Sequence, residues 1–157
     1  MGQKARVLAI CVHNSARSQM VEEYLKVYGG DLFEAESAGI EPGEINPVAA
    51  ALLMEEGIDI SAKKTRSVFD LHKAGKRYDY VIAVCSVDAY ERCPVFPAEK
   101  RRLHWPFPDP SAATGSFEER LEKVRPIRDG IRDHVRAFVK RYRETGTVEE
   151  ERKGEVS

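Results

Sequence analysis

Apolar positions along this chain fall into alternating short continuous runs and helically spaced stripes. The run Val7-Leu8-Ala9-Ile10, within Lys4 to Ile10, predicts a buried first strand. Beyond a short polar loop, Met20, Val21, Tyr24, Leu25 and Tyr28 recur at helical spacing until Gly29-Gly30. Leu32 to Ser37 predicts a second strand, ended by Ala38-Gly39. Asn46 as cap and Pro47 at the first helical position begin another helix through Val48 to Glu56, closed by Gly57. Residues 59–77 are charged and irregular, with a short helix at Val68 to Lys73. Tyr80-Val81-Ile82-Ala83-Val84 reads as a third, buried strand and Arg102 to Trp105 as a weaker fourth. Pro106, Pro108 and Pro110 then impose a loop. Ser116 with Glu119 forms a capping box ahead of a stripe through Leu121, Val124, Ile131, Val135, Phe138 and Tyr142, and Pro126 is expected to kink or split that helix.

Strands alternating with helices predict an α/β chain whose parallel sheet is covered on both faces. The expected unit is one domain over residues 1–143, with a polar, flexible tail over 144–157. Right-handed crossovers bring all strand C-terminal ends to one edge, where ligands of such folds bind. Cys11 ends the first strand, Cys85 follows the third, and the proline-rich loop bearing Asp109 follows the fourth. Three reactive groups far apart in sequence are therefore predicted to meet in one crevice.

The 157 residues suffice for one core without disulfide staples. Lys and Arg number 25 against 26 Asp and Glu, which argues against a nucleic-acid footprint. No apolar run has the length of a membrane span, and the N-terminus has no signal-peptide core. Met1-Gly2 is not a myristoylation site, because Arg6 stands where Ser or Thr is needed. A cytoplasmic monomer is the expectation. An odd set of three cysteines is not a secretory disulfide framework and suits catalytic, redox or buried thiols.

The chemistry concentrates in Cys11-Val12-His13-Asn14-Ser15-Ala16-Arg17-Ser18. A strand-to-helix turn aims successive backbone N–H groups into a concavity that binds an anion, and the helix dipole adds to it. The same field favours a thiolate at Cys11. Arg17 offers a planar fork for two oxygens of a tetrahedral oxyanion. Ser18 supplies a hydroxyl for the sulfur, and Asn14 tolerates the left-handed backbone of a tight turn. A cysteine with an arginine six residues later is a common coincidence; its place between strand and helix, with Asn14 and Ser18, makes the pattern specific. His13 suits a solvent or packing role. Expelling oxygen from the oxyanion centre needs a proton, and Asp109, held between Pro108 and Pro110, is the candidate acid. Trp105 and Phe107 are expected to shield it from water. The alternative for Asp109 is simply to start a turn.

CVHNSARSQMVE, the Ser37-Ala38-Gly39 triplet, VCSVDAYERCP around Cys85 and Cys93, and HWPFPDP at 104–110 resemble the thioredoxin-coupled arsenate reductases of the low-molecular-weight tyrosine phosphatase fold. The resemblance runs to about Tyr142 and implies a four-stranded parallel sheet flanked by helices. It makes Cys11 the nucleophile, Val12 to Ser18 the arsenate cradle (phosphate and sulfate being analogues), Asp109 the acid, and Cys85 and Cys93 a redox relay emptied by thioredoxin. It also implies a potassium ion near the loop, with Asn14, Glu22, Ser37 and Asp70 at matching places; no tightly bound cofactor is expected. The Cys85–Cys93 spacing is one residue longer than the family's. A continuous helix between them would hold their Cα atoms about 12 Å apart, against the ~7 Å that a disulfide tolerates, so residues 86–92 are expected to be a loop or to unwind on oxidation. One buried and one idle surface thiol is the plainer alternative. Zinc is disfavoured by the scattered histidines and the lack of a Cys-x2-Cys pair. Three functions stay open: arsenate reduction, phosphate-monoester hydrolysis needing only Cys11, Arg17 and Asp109, and an oxyanion-binding module. Glutathione- or mycothiol-linked reductants stand beside thioredoxin.

Overall fold

A computed structural model describes residues 3–84 and 96–148. The first strand, β1 (Ala5–Cys11), leads through a loop into α1 (Arg17–Gly29). Then come β2 (Phe33–Gly39), α2 (Pro47–Met54), the short α3 (Val68–Lys73), β3 (Tyr78–Ala83) and β4 (Ala98–His104). A single 3-10 turn, Pro110–Ala112, precedes the long α4 (Phe117–Thr145). The four strands pair in parallel in the order β2-β1-β3-β4. Chain order reverses between β1 and β3, so the crevice of this sheet opens beyond the C-terminal end of β1, where Cys11 stands.

Alternate β1 side chains serve opposite faces, as strand geometry requires. Val7, Ala9 and Cys11 pack with Met20, Val21 and Tyr24 of α1 and with Ile131, Val135 and Phe138 of α4. Leu8 and Ile10 pack with Val68 and Leu71 of α3 and with Tyr78 and Val81. Both faces are covered, as the alternation of elements predicts. Asn46 caps α2, its side chain accepting from the backbone of Val48 and Ala49. Ser116 and Glu119 close the capping box of α4.

Two elements differ from the sequence expectation. β4 begins at Ala98 rather than Arg102. Among the described residues it pairs only with β3, and an edge strand exposed to solvent carries charged residues rather than an apolar run. Pro126 does not split α4, which is continuous from Phe117 to Thr145. Pro126 lies on the exposed side of that helix, so the carbonyl it deprives of a partner can turn to water while the inner stripe of Val124, Arg128 and Ile131 stays packed. The helix ends at Gly146 in a left-handed conformation, and Val148 beyond it is buried.

Candidate active site

Residues 11–18 wrap the end of β1 into the start of α1 around the Cys11 sulfur. Cys11 is buried and unpaired by any disulfide. The backbone N–H of Asn14 donates to its Sγ at 3.2 Å, and the Ser18 Oγ lies 3.0 Å from the same atom. The proton on that second contact can be assigned. Asn14 Nδ2 donates to Ser18 Oγ at 2.8 Å, which leaves the Ser18 hydroxyl hydrogen for the sulfur. Two donors thus converge on the thiol, the arrangement that stabilises a sulfur anion.

Asn14 organises the turn. Its φ of 57° is left-handed, a conformation that Asn tolerates. Its side chain is completely satisfied. Nδ2 donates to Ser18 and, at 2.9 Å, to Ser37 Oγ. Oδ1 accepts from the Arg66 backbone N–H at 3.0 Å and from Gln19 Nε2 at 3.2 Å. The backbone donor at Arg66 fixes which amide atom is oxygen. Gln19 also donates to the Asn14 carbonyl at 3.0 Å, closing the turn from the first part of α1. The Ser37 hydroxyl donates to Glu22 Oε1 at 2.6 Å. Burial raises the Glu22 carboxyl, but Lys63 and Lys26 outweigh it and hold the group below its ordinary range.

The outer wall is the segment after β2. Ile40, Glu41, Gly43 and Asn46 donate their backbone N–H groups to the carbonyls of Cys11, Val12, His13 and Ser15. His13 Nδ1 meets the Glu41 carbonyl at 2.9 Å; an acceptor there assigns the ring proton to Nδ1. Gly39 lies flat against the loop. A Cβ there would come within 2.8 Å of Val12 O, His13 C and Asn14 N, so only glycine permits the approach.

Arg17, the first residue of α1, is buried and donates from Nη1 to the Phe107 carbonyl at 3.0 Å. Its Nη2 lies 3.8 Å from Asp109 Oδ1. The guanidinium therefore joins the nucleophile loop to the proline-rich loop, and Arg17 and Asp109 do meet. Asp109 is not shielded as expected. Its side chain is half exposed and accepts from the Ser111 N–H, while Trp105 packs inward on His134 and Phe138. Cys85 and Cys93, with the segment expected to unwind between them, lie outside the described residues.

A cysteine loop, an arginine at its helix start and an aspartate on a facing loop now stand together at the sheet edge. The family model for low molecular weight phosphotyrosine protein phosphatase matches residues 6–148. The chain belongs to this family. Among curated relatives, a protein named arsenate reductase from Bacillus licheniformis is 40% identical over 146 residues, covering 91% of this chain and 98% of the relative. A solved structure of an arsenate reductase from Archaeoglobus fulgidus superposes with a TM-score of 0.69 at 27% identity, covering 85% of this chain and 98% of that one. A thioredoxin-dependent arsenate reductase of Corynebacterium glutamicum gives a TM-score of 0.59 at 30% identity, covering 88% and 63% respectively.

Potassium, which the phosphatase-like family resemblance placed at Asn14, Glu22, Ser37 and Asp70, does not fit the residues present. Both lone-pair directions of Asn14 Oδ1 are used by Arg66 and Gln19. Glu22 is already paired on both oxygens, Oε1 with Lys63 Nζ at 3.0 Å and Oε2 with Lys26 Nζ at 2.7 Å. The Ser37 hydroxyl donates to Glu22 and accepts from Asn14, and Asp70 is exposed on α3. Lysine ammonium groups supply the positive charge there. Among the described residues no group of His, Cys, Asp and Glu is arranged to hold a metal ion, and no helix is long and apolar enough to cross a membrane.

Gln19 and Gly39 stand within the quoted motifs without an expected role, and Lys63 and Arg66 stand outside them; all four are parts of the site. Gln19 had a faint signal, a polar residue beside Met20 and Val21 on the buried side of a helix. Gly39 had another, a glycine closing a strand next to the loop-bearing one. Lys63 and Arg66 had none, since residues 59–77 read only as a charged connection.

Proposed function

We propose that this chain reduces arsenate to arsenite, with Cys11 as nucleophile and with electrons drawn through Cys85 and Cys93 from a thioredoxin-type dithiol. The observation that carries the chemistry at Cys11 is the pair of donors, Asn14 N–H and Ser18 O–H, on a buried sulfur at the mouth of the loop. The thiolate attacks arsenic(V), forming an S–As bond as an oxygen departs as water. Backbone N–H groups of residues 12–18 other than Asn14, whose N–H stays on the sulfur, and the Arg17 guanidinium hold the remaining oxygens. Arg17 exchanges its Phe107 carbonyl partner for the oxyanion, and Asp109 beside it delivers the proton to the leaving oxygen.

The second step distinguishes reduction from hydrolysis. The Cys85 thiolate attacks the Cys11 sulfur, an S–S bond forms, and the S–As bond breaks with its electron pair passing to arsenic. Arsenic(V) becomes arsenic(III), and two thiols become one disulfide. Cys93 then attacks Cys85, freeing Cys11, and an external dithiol reduces the Cys85–Cys93 bridge. Two findings support this route. Val84, the residue before Cys85, donates its N–H to the carbonyl of Ile10, the residue before Cys11, at 2.9 Å. The Bacillus licheniformis and Corynebacterium glutamicum relatives are named for arsenate reduction, the latter as thioredoxin-dependent.

The test couples the purified chain to thioredoxin, thioredoxin reductase and NADPH and measures NADPH consumption on adding arsenate, beside aryl-phosphate hydrolysis. Arsenate-dependent consumption that Cys85→Ser abolishes supports the proposal. Hydrolysis of aryl phosphate without arsenate-dependent NADPH consumption overturns it in favour of a phosphatase. Turnover with glutathione or mycothiol systems but not with thioredoxin overturns the choice of reductant alone.

A further inference from the structure

The buried brace behind the nucleophile loop ends on lysine. From Cys11 the contacts run to Ser18, to Asn14, to Ser37 and to Glu22, every link between 2.6 and 3.0 Å. Glu22 is 3% exposed, and a carboxylate so buried demands a partner charge. Lys63 Nζ sits 3.0 Å from its Oε1, the oxygen that also accepts from Ser37, and 2.7 Å from Glu23 Oε2. Lys26 holds the other oxygen from one turn along the same helix and is about half exposed.

Lys63 differs from Lys26 because it arrives on another segment, and that segment is strapped to the loop at several points. Three residues on, the Arg66 N–H donates to Asn14 Oδ1. The Arg66 carbonyl accepts from Gly39 N at 2.9 Å, and Ser67 bridges to Gly39. Thr65 Oγ1 donates to the Gly43 carbonyl, itself on the wall beside His13. The strap therefore touches both ends of the brace: its backbone at Asn14 and its ammonium at Glu22.

We infer that Lys63 is a positioning residue for oxyanion binding, an internal cation that fixes Glu22, Ser37 and Asn14 so that the loop holds its anion-binding shape without an inorganic monovalent ion. The inference rests on the proposed use of Cys11 and its loop. It does not depend on the later redox steps. Without the ammonium, Glu22 keeps only the more exposed Lys26, and its surplus charge pulls on Ser37 and loosens the Asn14 turn. An added potassium or sodium ion then has a carboxylate oxygen to occupy.

The experiment measures protection of Cys11 from iodoacetamide by inorganic phosphate, read on the Cys11-bearing peptide by mass spectrometry. Native chain, Lys63→Met and Lys63→Arg are compared in potassium, sodium and choline chloride at equal ionic strength. The native chain should bind phosphate equally, within about twofold, in all three salts. Lys63→Met should bind about tenfold more weakly in choline and recover part of the loss in potassium or sodium, while Lys63→Arg stays near native. A native chain that needs potassium, or a folded Lys63→Met that binds as the native chain does in every salt, overturns the inference. The native salt comparison needs no variant, so it decides even if Lys63→Met does not fold. A native Cys11 that iodoacetamide never modifies, or that phosphate never protects, refutes the proposed nucleophile instead.

Discussion

At Asn14 a single side chain joins backbone geometry to chemistry. Its left-handed φ turns the loop, and its amide ties Ser18, Ser37, Gln19 and Arg66 together. Alanine there leaves buried partners unsatisfied in a conformation that alanine resists. Asn14→Ala should therefore lose about 2–4 kcal/mol of stability by urea denaturation and at least about tenfold in phosphate protection of Cys11. Gly39→Ala probes the same loop from behind. The added methyl meets three backbone atoms at 2.8 Å, none of them a flexible side chain. The expected loss is about 1–3 kcal/mol, with weakened phosphate binding because the loop must shift; native phosphate affinity in a folded Gly39→Ala chain would show that the close approach does not shape the site. Cys11, Asn14, Arg17 and Ser18 were legible because their chemistry is local, confined to one strand-to-helix turn. Lys63 and Arg66 were not, because their partners lie about forty and fifty residues away and charge in a connecting segment looks like ordinary solvated surface.

The elements were legible where burial writes a period into the chain. β1 and β3, covered on both faces, carry continuous apolar runs, and α1 and α2 carry helical spacing with stop and start signals. β4 was read short because its edge position frees its residues to be charged. The long α4 shows two local signals acting in opposite directions. Its capping box at Ser116 and Glu119 satisfies backbone donors, whereas Pro126 forfeits a hydrogen bond on the exposed side. Ser116→Ala should cost about 1 kcal/mol. Pro126→Ala should stabilise by about 1–3 kcal/mol, since the lost backbone bond returns without disturbing the packed stripe. Chemical denaturation of both variants checks the pair, and a destabilised Pro126→Ala would mean that the proline sets a bend on which the packing of α4 depends.

Charge pairing across the whole molecule sets its pH limits. Hydrogen bonds from Arg125 and then Arg128 pull the Glu55 carboxyl from 4.5 down to about 2. Glu36 is also lowered: burial raises it, and Tyr78 and Lys76 outweigh that. Groups depressed on folding contribute stability above the unfolded value near 4.5, and that contribution is lost as pH falls towards 2. Tyr24 and Tyr78 move the other way, raised above 10 by burial and by donating to Glu56 and Glu36. Their contribution is complete below pH 10 and is lost above it. The urea midpoint should therefore hold between about pH 6 and 9 and fall on either side; an unchanged midpoint at about pH 3 would show that these pairs do not stabilise the fold. At this scale the sheet topology also brings the ends of β1 and β3, and hence Ile10 and Val84, side by side, which favours the proposed relay. The most direct test of a thiol relay starting at Cys11 is disulfide mapping of Cys93→Ser after one exposure to arsenate without reductant. The account predicts one arsenite released per chain and a trapped Cys11–Cys85 bridge. Arsenite release without that bridge, or no arsenite at all from a folded variant whose Cys11 is still alkylated, would contradict it.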